Sequence, residues 1–80
     1  MKIERLISCF DIKTEKLIRE YNIDNIDFET LKEIIKPNKN DPLMYNPYKI
    51  KKNQVDKLEK LVDMKFDLGN YIYQVDCFQI

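Results

Sequence analysis

Histidine, tryptophan and alanine are absent from the 80 residues, and glycine and serine occur once each, as Gly69 and Ser8. Without histidine the chain lacks the side chain most often used as a general base. Neither Ser8 nor Cys9 then has an imidazole to activate it as a nucleophile. A single glycine cannot furnish a phosphate-binding loop or a dinucleotide fingerprint, each of which needs more than one. Two cysteines, Cys9 and Cys77, fall short of a four-ligand zinc site. Asp24-Asn25-Ile26-Asp27 gathers oxygen ligands but lacks the spacing, glycine and terminal glutamate of a calcium loop, and it reads as a turn entering a helix cap. The expectation is a protein without cofactor or metal that is not an enzyme.

Charge of one sign is lacking too: 14 basic and 14 acidic residues cancel, with a pI near 6.2. That balance argues against a dedicated nucleic-acid binder, which normally carries a basic excess. No apolar run approaches the roughly 18 residues of a membrane span. Glu4 and Arg5 interrupt the apolar residues of the start, so no signal peptide is read there and a cytoplasmic location is expected. In a reducing compartment Cys9 and Cys77 read as small buried hydrophobes, and a disulfide requires that their strands pair.

What is present is globular: 44% hydrophobic and 35% charged residues, enough for one domain over residues 1–80. Residues 2–12 place Ile3, Ile7 and Cys9 on one face of a strand and Leu6, Phe10 and Ile12 on the other, as in a central strand. Residues 16–23 fit either a strand or a helix stripe, and the short polar link before them favours a hairpin. Asp27 caps a helix over 27–36 whose apolar stripe is Phe28, Leu31, Ile34 and Ile35, ended by Pro37. Residues 37–48 hold all three prolines and form a long loop. Asn53 is the expected cap of a second helix reaching Met64, with Val55, Leu58, Leu61 and Val62 on its apolar face. Gly69 is expected at positive φ in the turn over 66–70. Residues 71–79 make the clearest strand, with Tyr71, Tyr73, Val75 and Cys77 on one face and Ile72 and Phe78 on the other. The order β-β-α-loop-α-β predicts a two-layer α+β domain: a small antiparallel sheet with two helices on one face and its first and last strands as possible neighbours.

Neutrality hides a local imbalance. Residues 32–52 carry six lysines against Glu33 and Asp41, a charge of +4, while the flanking segments carry −2 each. Lysines near tyrosines can hold phosphates and stack bases, or steer an acidic protein surface into register. Tyrosine concentrates at interface hot spots because it buries a large area at small entropic cost. The candidate partner-binding residues are therefore Asp41, Tyr45, Tyr48 and Lys49 on the long loop, with Asp67, Tyr71 and Tyr73 as a second group.

Phe10-Asp11 through Thr14-Glu15 to Leu17-Ile18, Asp41-Pro42 with Tyr48 and Ile50, Gln54 and Leu58, and Phe66-Asp67 with Tyr71-Ile72-Tyr73 together span most of the chain. This pattern resembles small bacterial proteins of toxin–immunity gene pairs, including contact-dependent growth-inhibition loci. The resemblance implies a cytosolic immunity protein that binds one cognate toxin and blocks its active site or its access to substrate. Its neutrality departs from the acidic character of many immunity proteins against nucleases, which implies contact away from the toxin's active site or a toxin that is not a nuclease. The expected state is a monomer that binds a toxin domain. The alternative is a small nucleic-acid-associated regulator using the Lys49–Lys52 patch.

Overall fold

The computed structural model describes residues 2–80. Asp11 starts the fold locally: its carboxylate accepts from the backbone N–H groups of Lys13 (2.8 Å) and Thr14 (3.0 Å). The carbonyl of Asp11 also accepts from Glu15 N–H, with Glu15 at φ 60°. This side-chain-stapled turn folds β2 (Leu17–Asn22) back on β1 (Ile3–Asp11) as an antiparallel hairpin. A bulge opposite Cys9 and Phe10 takes up one extra residue. The strand reading of this ambiguous segment therefore holds.

Asp27 caps α1 (Phe28–Ile35), its carboxylate accepting from Thr30 N–H at 3.0 Å. Lys36 closes the helix in the left-handed conformation, φ 55°. After the long loop come β3 (Tyr48–Lys49), α2 (Lys52–Glu59) and β4 (Tyr71–Gln79). The sheet is antiparallel in the order β2-β1-β4-β3. The first and last strands are neighbours at its centre, paired from Ile3↔Gln79 to Asp11↔Tyr71.

Residues opposite one another across these ladders share a face. Ile7, Cys9, Tyr73 and Val75 form one face and join Leu31 and Ile35 of α1 and Leu58 of α2 in the buried core. Ile23, Met44 and Ile50 complete it. The opposite face carries Leu6, Ser8, Phe10, Ile72, Gln74 and Asp76. None of these belongs to the helix-covered cluster.

Several expectations need correction. A fourth strand, β3, sits inside the stretch read as loop; two residues are too few to leave a periodic signal. The second helix starts one residue before Asn53, with Lys51 at its N-cap, where the Gln54 side chain accepts from Lys51 N–H at 2.8 Å. It ends at Glu59 rather than near Met64, because Leu61 and Val62 both turn their N–H groups back to the Leu58 carbonyl. Leu61 is consequently exposed instead of buried. Gly69 does not adopt positive φ; Glu15, Lys36 and Met44 do. The strands of Cys9 and Cys77 do pair, but Cys9 faces Tyr73 and Cys77 faces Arg5. Four residues of register, roughly 13 Å, separate the two free thiols, too far for a disulfide.

These backbone facts give a test. A Cβ on Gly69 would meet nothing closer than an Asp67 side-chain oxygen at 3.5 Å, an ordinary contact. Gly69→Ala is therefore expected to leave stability unchanged or raise it by up to about 1 kcal/mol, and Lys36→Gly to raise it similarly by relieving left-handed strain. Leu58→Ala, which empties a fully buried site, is expected to cost about 2–5 kcal/mol. Urea denaturation of the three variants checks all three signs.

Candidate functional site

The short β3 matters because of where it places the chain. Tyr48 pairs with Val75 and Lys49 with Gln74, and Ile50 N–H donates to the Tyr73 carbonyl at 2.9 Å. This brings Lys49, Lys51 and Lys52 beside the first residues of β4. From the other side Ile12 N–H donates to the Asn70 carbonyl at 3.1 Å, fixing the end of the β1 hairpin there. Between them lies an open cleft of about 420 Å³ lined by the three lysines and by Ile12, Ile50, Leu68, Tyr71 and Ile72. No acidic residue lines it. Among the described residues the one ion pair is Lys65–Glu59 (3.8 Å), so none of the three cleft lysines is neutralised within the chain. An apolar, aromatic floor under unpaired ammonium groups can hold an anionic group whose neighbours are apolar.

The sequence-derived candidates separate into three places. Lys49 and Tyr71, drawn from the two different groups, come together in the cleft. Asp67, Tyr71 and Tyr73 share a second shallow pocket with Cys9 and Arg19. Asp67 is exposed and its N–H donates to the Tyr73 hydroxyl at 3.1 Å. Tyr73 itself is buried, edge-on to Phe66 with ring centres 4.8 Å apart. Burial pushes its phenol and the adjacent Cys9 thiol up from their ordinary values.

Asp41, Tyr45 and Tyr48 form the third place, inside the long loop. The buried Asp41 carboxylate accepts from the Tyr48 hydroxyl (2.6 Å), Tyr45 N–H (2.9 Å) and Asn46 N–H (3.0 Å). Asp41 and Tyr48 thus tie the loop, while the Tyr45 side chain stays exposed and outside the cleft. Arg5 supports the same loop: its guanidinium lies 4.5 Å over the Phe28 ring and donates to the Leu43 carbonyl at 2.7 Å. Ile12, Leu68 and Ile72 are cleft residues that sequence reasoning missed as a site. Their only signal was apolar character, at strand ends for Ile12 and Ile72 and in the turn before β4 for Leu68, which a core residue shares. Among the described residues no three His, Cys, Asp or Glu side chains cluster where they could hold a metal. No helix among them is long and apolar enough to cross a membrane.

A family model described as "Domain of unknown function (DUF7683)" matches residues 4–76. The chain belongs to that family. The matched span runs from Glu4 in β1 to Asp76 in β4, so the DUF7683 domain contains the lysine cleft and the whole element order. No curated protein matches the chain, and no solved structure does.

The Asp41 tie makes stability depend on pH. The Tyr48 hydroxyl, followed by the two backbone N–H groups, holds the Asp41 carboxyl below its ordinary value. A carboxyl lowered on folding stabilises the folded state fully above its unfolded value, about 3.9, and loses that contribution as pH falls through the lowered folded value. Tyr48→Phe removes the largest cause. Its urea midpoint is expected below that of the wild type at neutral pH, with the gap narrowing in acid; a gap independent of pH would show that Asp41 is not the group affected.

Proposed function

We propose that this protein is a cytoplasmic immunity protein that neutralises a cognate bacterial toxin domain by binding it. The observation that carries the reading is the cleft where Lys49, Lys51 and Lys52 stand unpaired over Tyr71, Ile72 and Leu68. Basic groups beside an aromatic ring, on a small domain with a preformed surface, are suited to a partner that presents a carboxylate among apolar side chains. The resemblance to proteins of toxin–immunity pairs supplies the identity of that partner as a toxin. Overall neutrality fits recognition by a local patch better than imitation of a nucleic acid. In this reading the free protein is a monomer, uses no cofactor and performs no catalysis.

The same three lysines and Tyr71 favour one second reading, a small regulator that holds single-stranded nucleic acid, since phosphates and bases use the same groups. The two readings separate on one experiment. The tagged protein is used to recover partners from its native organism at moderate salt, alongside a Lys49→Glu, Lys51→Glu, Lys52→Glu variant. The toxin reading expects one stoichiometric protein, derived from the C-terminal part of a large secreted polypeptide, that is lost from the variant and whose toxicity co-expression of the wild type suppresses. Recovery of nucleic acid instead, with affinity falling steeply as salt rises, would transfer the cleft to the second reading.

A further inference from the structure

The two edges of the sheet are built differently. β3 offers two paired residues and follows Pro47, whereas β2 is six residues long and pairs on one side only. Ile23 N–H donates to the Arg5 carbonyl. The alternation of an antiparallel ladder then turns Tyr21 and Arg19 toward β1 and leaves the N–H and C=O of Glu20 and Asn22 directed outward. No described residue takes those backbone groups. Alongside this edge runs a groove between β2 and the turn after α2. Its apolar floor includes Tyr21, Leu61, Val62 and Met64, and its charged residues, Glu20 and Asp63, are both acidic. Leu17, Ile18 and Leu61, at 50%, 48% and 40% exposed, are among the large hydrophobic side chains left open to solvent.

We infer that β2 is a docking edge for an extended segment of another protein, one that alternates basic and apolar side chains. Such a segment adds a strand to the sheet through the outward groups of Glu20 and Asn22. Its apolar side chains, on the helix side with Tyr21, meet Leu61 and Met64, and its basic ones, on the face that Glu20 shares with Ser8, meet Glu20. A second copy of this chain is the poorer occupant. Of the symmetric antiparallel registers of β2 with itself, those pairing more than three residues set Arg19 against Arg19 or Glu20 against Glu20. Like charges directly opposite destabilise a strand pair. The edge shares no lining residue with the lysine cleft, lies at the opposite side of the sheet and stands apart from the toxin reading.

The probe is a capped six-residue peptide alternating lysine and valine, titrated into the isotope-labelled full chain at low salt. Saturable amide shifts are expected over Leu17–Asn22 and Leu61–Met64. N-methylation of every second peptide residue is expected to abolish binding in one phase and spare it in the other, the signature of strand addition. Glu20→Pro removes the carboxylate, as Glu20→Thr does, and in addition an N–H that is outward and not bonded to β1. It is expected to weaken binding about tenfold beyond Glu20→Thr, the scale of one lost hydrogen bond. The methylated peptides make the same test without altering the protein, should the proline variant fail to fold. Absence of saturable binding, shifts confined to Lys49–Lys52, equal binding of both methylation phases, or equal binding of a glutamate–valine peptide would each overturn the proposal. So would a wild-type chain that sediments as a dimer through β2.

Discussion

Everything else in this fold hangs on the ladder between β1 and β4. Nine residues near the start of the chain pair with nine near its end, across sequence separations of 60 to 76 residues. Because loop-closure entropy rises only with the logarithm of length, joining such distant segments costs little more than joining near ones. It does cost time, since the ladder forms only after a long chain search. Once formed, it defines both edges and both faces. Its register is guarded on the helix-free side by a buried polar set: Ser8 hydroxyl donates to Asp76 at 2.5 Å, and the Gln74 amide donates to the same carboxylate. A slip of one residue would turn Asp76 into the apolar core beneath the helices, so a polar group left unsatisfied penalises the wrong pairing.

The ladder also explains why two eight-residue helices suffice. Helices this short do not persist alone in water. Each contributes a narrow stripe, Leu31 and Ile35 from one and Leu58 from the other, against Ile7, Cys9, Tyr73 and Val75. The helices are held by the sheet rather than the reverse. What remains of the chain is free to carry charge, and it does so unevenly: three unpaired lysines line the cleft at the β3 side, and Glu20 and Asp63 line the groove between β2 and the turn after α2. Zero net charge is thus a sum over separated patches. At physiological salt, screening over about 8 Å lets patches on opposite edges act independently.

Much of this architecture was legible because it rests on local rules. Asp27 as a cap, the 3–4 spacing of Phe28, Leu31 and Ile35, and Pro37 after the helix mark α1 unambiguously. The two-sided apolar character of residues 2–12 marked a central strand, and β1 is central, with the last strand beside it as the element order allowed. The failures have two causes. The ends of α2 are set by local bonds, of Lys51 N–H to Gln54 and of Leu61 and Val62 N–H to the Leu58 carbonyl. The others depended on contacts that a linear pattern does not report. A two-residue strand exists only because β4 is there to pair with it. The left-handed residues are Glu15, Lys36 and Met44, where surrounding structure overrides side-chain preference, while the lone glycine sits at ordinary φ. The cleft was half visible, in Lys49, Lys51 and Lys52. Its other half, Ile12, Tyr71 and Ile72, is assembled by pairings that no linear pattern reports.

The same reasoning separates residues that make a surface from residues that hold one. Asp41 and Tyr48 attracted attention as an acidic group and an aromatic beside lysines, a combination common at interfaces. In the folded chain both spend their polar atoms on the loop itself, the carboxylate accepting three hydrogen bonds and the hydroxyl serving both Asp41 and Asn38. Tyr48 is also the first residue of β3, so the tie at its ring end and the pairing of its backbone with Val75 act on one residue. Lys49 follows directly. The buried carboxylate therefore governs where the first cleft lysine stands without contacting whatever the cleft receives. Tyr45, bound to Asp41 only through its backbone N–H, keeps its ring free and is the one loop aromatic available for contact in its own right.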